Sequence, residues 1–62
     1  MTFLRATTTD GATEYFNTSK ILTITPYVHR TKILMGAGLG YWVLTESIEI
    51  VTLPKVLEEI NQ

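Results

Sequence analysis

A chain of 62 residues that contains no cysteine has few means of stabilising a fold. A domain of this size buries only about 60% of the surface that its unfolded chain exposes, so small domains usually add disulfides, a metal or a partner subunit. Without cysteine, disulfides and thiolate metal sites are excluded. The single histidine, His29, would need carboxylates or a second chain to hold zinc. Self-association is therefore the expected supplement, with a homodimer favoured.

The overall composition is that of a folded domain with nearly balanced charge. The apolar fraction is 45% and the formal net charge is −1, which argues against disorder and does not single out nucleic acid or acidic membranes as partners. Arg5 and Asp10 interrupt the N-terminal apolar residues, so we expect no signal peptide. The longest uncharged stretch, residues 33–45, is too short to span a bilayer. We expect a soluble protein, cytoplasmic by default.

The dipeptide Asp10-Gly11 separates two runs rich in β-branched and aromatic residues, 2–9 and 12–16. Asp-Gly is typical of a two-residue type I′ turn, which needs positive φ at both central positions, so we predict a β-hairpin. That turn would place Arg5 opposite Phe16. It would divide the side chains between two faces: Phe3, Arg5, Glu14 and Phe16 on one, and Leu4, Ala6, Thr13 and Tyr15 on the other.

The middle of the chain predicts a short strand followed by a second hairpin. In a strand at residues 21–25, Ile21 and Ile24 share a face only if the strand has a bulge or a tight entry turn. Pro26 has no amide hydrogen, so it ends the ladder or lies on an edge. The remaining predicted elements are a loop at residues 27–30, strands at 31–35 and 41–44, and a glycine-rich turn at 36–40.

The C-terminal third predicts a short helix at residues 53–61, with Thr52 as the cap and a proline in the first turn. Its apolar face would consist of Leu53, Val56, Leu57 and Ile60, with Glu58 and Glu59 opposite. Residues 46–51 fit either a helical turn or a strand, and we favour the helical turn. The chain is thus predicted to be one domain, residues 1–62, of the mainly β (β+α) class. We expect a small, strongly bent antiparallel sheet or open barrel of about five strands with one short C-terminal helix.

Several local sequences occur in the same order in a known family: Asp10-Gly11, Phe16-Asn17, Ile21 with Ile24, residues 31–34, and the run Tyr41-Trp42-Val43-Leu44-Thr45-Glu46-Ser47-Ile48. This layout resembles the small flagellar proteins of the FlbD/SwrD type. The resemblance implies a non-enzymatic accessory role in motility, and none of the family's functional residues is carried over. A phage-encoded host-interaction protein of similar shape is the open alternative.

Pairs of consecutive aromatic residues mark the candidate protein interface. Neighbouring side chains of a strand point to opposite faces, so a sheet covered on one side leaves one member of each pair exposed. Exposed aromatic residues are favoured interface anchors. We predict self-association and binding of another protein through Tyr15, Phe16, Leu39, Tyr41 and Trp42. The alternative is that the bent sheet encloses all these rings in one core.

The only basic cluster supports a second hypothesis, a nucleic-acid-binding regulator. His29, Arg30 and Lys32 lie close together in sequence, with Tyr27 and Trp42 near them in the predicted hairpin. Cations that contact phosphates, beside rings that stack on bases, are what single-stranded nucleic acid requires. A solvated loop is the alternative interpretation of such a short charge run.

We predict no catalytic, metal-binding or cofactor-binding residue, and therefore no enzyme. The segment Gly36-Ala37-Gly38-Leu39-Gly40 lacks the final glycine of a dinucleotide-binding loop, and a strand rather than a helix follows it. His29 has no carboxylate placed by spacing to orient it. Neither Ser19 nor Ser47 belongs to a recognisable nucleophile motif.

Overall fold

The computed structural model describes residues 1–62 and is mainly β, as predicted. The elements in chain order are β1 (Thr2–Thr7), β2 (Thr13–Asn17), a 3-10 turn (Thr18–Lys20), β3 (Ile21–Pro26), β4 (Arg30–Met35), β5 (Gly40–Leu44), a second 3-10 turn (Thr45–Ser47), β6 (Glu49–Thr52) and α1 (Leu53–Ile60). The strands form two antiparallel sheets of three, ordered β2-β1-β6 (the first sheet) and β3-β4-β5 (the second sheet). No helix is long and apolar enough to cross a membrane.

The main core lies between the two sheets and is small. It consists of Leu4, Ala6 and Phe16 from the first sheet, with Ile33 and Val43 from the second. One polar residue, Thr31, is buried beside them, and its hydroxyl lies 2.8 Å from that of Thr45. Only 8 of the 62 residues are buried, which agrees with the limited interior expected of so short a chain.

The two sheets are joined where the chain leaves β1. Thr8 forms a bridge with Val43, and the Thr9 amide donates to the Trp42 carbonyl at 3.0 Å. These contacts pair the end of the first hairpin with β5 of the second sheet. The polypeptide therefore curls into a partly open barrel-like shape rather than two independent ribbons.

Both hairpin turns use the same geometry, which differs from the predicted two-residue turn. In the first, the Gly11 amide donates to the Thr8 carbonyl and the Thr8 amide to the Ala12 carbonyl. Only Gly11 has positive φ, at 96°. This is a three-residue loop with a glycine bulge. The second turn repeats it, with Gly38 at φ 79°, so the expected hairpin turn at residues 36–40 is confirmed.

The extra residue in the first turn makes the predicted register wrong by one position. Arg5 faces Tyr15, and Leu4 faces Phe16. Side chains alternate between the two faces of a strand. A shift of one residue in the pairing therefore changes which side chains of β1 share a face with which side chains of β2. Leu4, Ala6 and Phe16 therefore share the core face, whereas Arg5 and Tyr15 share the outer face.

The bulge predicted in the third strand is confirmed. The register of β3 against β4 shifts between Ile21 and Thr23, which leaves Leu22 as the extra residue. Ile21 packs against the core, and Ile24 faces the same side as its buried partner Ile33.

The C-terminal region departs from the prediction in three ways. The helical turn covers Thr45–Ser47 only, and a sixth strand follows it. Thr52 precedes α1 without a side-chain cap, and the Leu53 amide instead donates to the Met1 carbonyl at 3.1 Å. The predicted apolar helix face is right for Val56 and for the half-buried Leu53, but wrong for Leu57 and Ile60. Val56 is buried, but Leu57 and Ile60 are exposed, and Glu59 turns toward the first sheet to bond Tyr15 and Arg5.

Candidate functional site

Two of the five predicted interface residues belong to the core. Phe16 is 3% exposed, and the half-buried Tyr41 packs against the core with its ring edge-to-face to Phe16 at a centroid distance of 5.2 Å. Such aromatic pairs stabilise an interior beyond the area they bury. Phe16 and Tyr41 therefore follow the alternative prediction, in which the bent sheet encloses the aromatic rings in its core, and they are not available as interface anchors.

Tyr15 contributes to a polar contact between α1 and the first sheet. Its hydroxyl donates to Glu59 Oε1 at 2.6 Å, and Arg5 donates to both Glu59 and Glu49. The Tyr15 hydrogen bond, followed by that of Arg5, lowers the pKa of Glu59, and the same bond to Glu59 raises the pKa of Tyr15. These hydrogen bonds hold α1 against the first sheet, so Tyr15 has a structural role.

Trp42 meets the predicted basic residues on the outer face of the second sheet. The Arg30 guanidinium carbon lies 4.1 Å from the Trp42 ring centroid, and Lys32 Nζ lies 5.8 Å from it. The Tyr27 ring centroid is 5.6 Å from that of Trp42. The basic and aromatic residues that the sequence places near one another in the predicted hairpin thus form one surface, which we call the basic aromatic face: Tyr27, Arg30, Lys32 and Trp42.

The strand register explains why these side chains meet. Lys32 is paired with Trp42 on one side and Thr25 on the other, so the three form a row across the sheet. The Tyr27 amide donates to the Arg30 carbonyl at 2.8 Å, which places Tyr27 and Arg30 in the next row. The Lys32 side chain lies over Gly40, and its Cε is 3.0 Å from where a Cβ would stand.

His29 lies in the turn between β3 and β4, at the border of this face. It is exposed, and its carbonyl accepts a hydrogen bond from the Thr45 amide. Its two neighbours in the basic cluster are free of carboxylates, since the ion pairs of the chain involve only Arg5 and Lys55 as cations. Arg30 and Lys32 therefore keep their full charge available to a ligand.

Charge is unevenly distributed along the chain. Residues 15–45 contain Lys20, Arg30 and Lys32 but no Asp or Glu, a formal charge of +3. The other residues contain two cations and six carboxylates, a formal −4, which together give the net −1. The second sheet falls wholly in the positive part. This signal was readable from the sequence, because no acidic residue stands between Glu14 and Glu46, but the small net charge concealed it.

Exposed apolar side chains are concentrated beside the same sheet. Nine large apolar or aromatic residues are 49% to 83% exposed. Four of them fall within residues 22–28, on β3 and the turn after it: Leu22, Ile24, Tyr27 and Val28. We call these four residues the apolar edge. Leu39, a predicted anchor, is also exposed, but it lies at the β4–β5 turn.

Leu22 and Ile24 are predicted only as strand residues and Val28 only as part of the loop at residues 27–30, so sequence reasoning missed all three as interface residues. The available signal was that the predicted third strand contains no charged residue, although edge strands usually carry charges that prevent pairing with another chain.

A shallow groove of about 360 Å³ separates Trp42 from the first hairpin turn. Its lining includes Asp10 and Glu14, and a hydrogen bond from Thr8 lowers the pKa of Asp10. This side of Trp42 is therefore acidic, in contrast to the side that carries Arg30. No three His, Cys, Asp or Glu side chains come close enough together to hold a metal ion.

Comparison with known proteins adds no relative. No family model, curated protein or solved structure matches the chain.

Proposed function

We propose that this protein is a non-enzymatic interaction and assembly protein that self-associates through β3. The observation that carries the proposal is the apolar edge, where four of the nine exposed large apolar side chains lie on one edge strand, which is paired with β4 on one side only, and on the turn after it. Contiguous exposed apolar surface on a small protein usually marks a contact site. A second copy of the chain is the occupant that fits best, because an antiparallel strand edge is complementary to itself.

The hydrogen-bonding pattern identifies which backbone groups the edge offers. Tyr27 and Arg30 form a hydrogen-bonded pair, and bonded and non-bonded pairs alternate along an antiparallel ladder. The pair Ile24–Ile33 is therefore non-bonded, so the amide and carbonyl of Ile24 point away from β4. Pro26, which also lies at a non-bonded position, offers a carbonyl but has no amide hydrogen.

These constraints favour a two-fold axis at Ile24. Pairing Ile24 with Ile24 of a second copy would form two backbone hydrogen bonds and bring the two side chains together. Leu22 would lie opposite Pro26 of the second copy, where the proline carbonyl can accept but its nitrogen cannot donate. The missing donor limits further pairing, so the arrangement favours a closed dimer over an extending fibre.

Light scattering coupled to size exclusion tests the proposal. The wild-type chain should approach twice the 7.0 kDa mass of one chain as its concentration rises. Ile24→Lys places a charge at the centre of the edge and should keep the protein monomeric. The matched control is Ile60→Lys, which changes an isoleucine on α1 that is 61% exposed, against 49% for Ile24, and should leave self-association intact.

Two results would contradict the proposal. One is a wild-type chain that stays monomeric up to millimolar concentration, and the other is equal disruption by the two lysine variants. Binding of another protein on the assembled sheet, an accessory role in motility and a phage origin remain predictions from the sequence. The self-association test is independent of them.

A further inference from the structure

The basic aromatic face has a composition and geometry that self-association does not require. It combines two unpaired cations with two aromatic rings on one side of a regular sheet. We propose that this face binds single-stranded nucleic acid, with Arg30 and Lys32 contacting phosphates and Tyr27 stacking on a base.

Charge complementarity is the first argument. Arg30 and Lys32 have no carboxylate partner, and the whole second sheet lies in the part of the chain that lacks Asp and Glu. A local positive surface attracts a polyanion even when the net charge of the protein is negative. Asp10 and Glu14 on the far side of Trp42 repel phosphate, so the path of a strand is confined to the β3–β4 side.

The stacking surface is the second argument. Tyr27 is 55% exposed, whereas Trp42 is half-buried and covered by the Arg30 guanidinium at 4.1 Å. A guanidinium plane held against a ring is itself a platform for a base. Tyr27 and Arg30 occupy one row of the sheet. The Tyr27 ring therefore lies beside the Arg30 guanidinium group, whose geometry suits phosphate.

An unstacked single strand fits this face better than a duplex does. The face is a short region of a three-stranded sheet with no helix or protruding ribbon to enter a major groove. Bases already free of pairing can reach Tyr27 without the energy cost of opening a duplex.

Fluorescence anisotropy with a labelled thymidine 12-mer provides the test. Two phosphate contacts predict a slope of about −1.4 in log affinity against log salt, so affinity should fall roughly sevenfold between 50 and 200 mM salt. Arg30→Gln or Lys32→Gln should lower the slope by about 0.7. Tyr27→Ala should weaken binding by about fivefold or more, the loss of one stacked base. Trp42, the only tryptophan, should change its emission on binding.

Matched controls separate this site from general attraction to anions. Lys55→Gln removes the same charge from α1, where Lys55 pairs with Glu58, and should leave affinity unchanged. A 12-mer of abasic nucleotides has the same phosphates without bases and should bind at least fivefold more weakly.

Three outcomes would overturn the inference: no binding at 50 mM salt, equal binding of the abasic strand, or equal losses from Lys55→Gln and Lys32→Gln. If Arg30→Gln instead abolishes association between copies, the occupant is the acidic half of a second chain, and the nucleic-acid inference is wrong. Masses measured on the same samples keep the two proposals apart, because a monomer that binds the 12-mer contradicts only self-association through β3.

Discussion

Ile24 and Ile33 provide an internal comparison of buried and exposed surface. They are cross-strand partners of the same residue type on the same face of the second sheet. Ile33 is 0% exposed and belongs to the core, whereas Ile24 is 49% exposed on the open edge. Replacing each with valine removes one methylene group and keeps the branched side chain that suits a strand.

The two substitutions should have unequal costs in the monomer. Ile33→Val leaves a small cavity and should lower the free energy of unfolding by about 1 kcal/mol. That corresponds to a fall in Tm of about 4–8 °C for a domain of this size. Ile24→Val leaves no cavity. Because Ile24 is about half exposed, the change should cost roughly half of the transfer free energy of one methylene group, which is about 0.8 kcal/mol, and therefore about 0.4 kcal/mol. Against a total stability of about 3–9 kcal/mol for such a chain, the first change is substantial.

Thermal unfolding followed by circular dichroism measures both effects. At dilutions where light scattering gives the single-chain mass, the Ile33 variant should lose at least twice as much stability as the Ile24 variant. At concentrations where copies associate, the cost of Ile24→Val should rise and that of Ile33→Val should not change. Equal costs in the monomer would refute the reasoning, because Ile24 would then be buried by the chain itself.

Two further predictions concern polar contacts. The pKa of Glu59 is lowered below its ordinary value of 4.5 by bonds from Tyr15 and Arg5, so its stabilisation is complete above that pH and is lost as the pH falls through the lower folded value. Glu59→Gln should therefore reduce the acid sensitivity of Tm, and an unchanged pH profile would contradict this. Thr31→Val removes the buried hydroxyl contact with Thr45 and should cost about 1 kcal/mol in urea unfolding at constant m; an unchanged midpoint would show that water replaces the bond.

The class of fold was predictable because it depends on features that the sequence states directly. Asp10-Gly11 and the glycines at 36–40 mark turns, and the bulge in β3 follows from the spacing of Ile21 and Ile24. The register was not predictable from the dipeptide alone. Two-residue and three-residue loops both accept a glycine at position 11, and the choice between them exchanges the faces of Arg5 and Phe16.

The placement of α1 shows a different limit of sequence reasoning. Helical periodicity grouped Leu57 and Ile60 with the buried face, because it depends only on the spacing of hydrophobic residues. It contains no information about the polar side chains of the sheet that contact the helix. The carboxylate of Glu59 meets Tyr15 and Arg5, which were assigned to opposite faces before the true register was known.

The candidate site was predictable in its parts but not as a whole. Arg30, Lys32 and Trp42 were expected near one another in the second hairpin, and Trp42 was also a candidate for the protein interface. Their meeting depends on the pairing of β4 with β5, which the sequence did not specify to the residue. The apolar edge was missed because a strand's position at the edge or centre of a sheet is a long-range property.

The second sheet carries a local charge opposite in sign to the net charge of the protein. A protein with an isoelectric point near 5.6 would ordinarily be expected to avoid anionic surfaces at neutral pH. An approaching anion is attracted by this local positive charge and repelled by the carboxylates, which favours encounters in which the basic aromatic face meets the anion. Orientation in the field, rather than total charge, governs which of its surfaces this protein presents in an encounter.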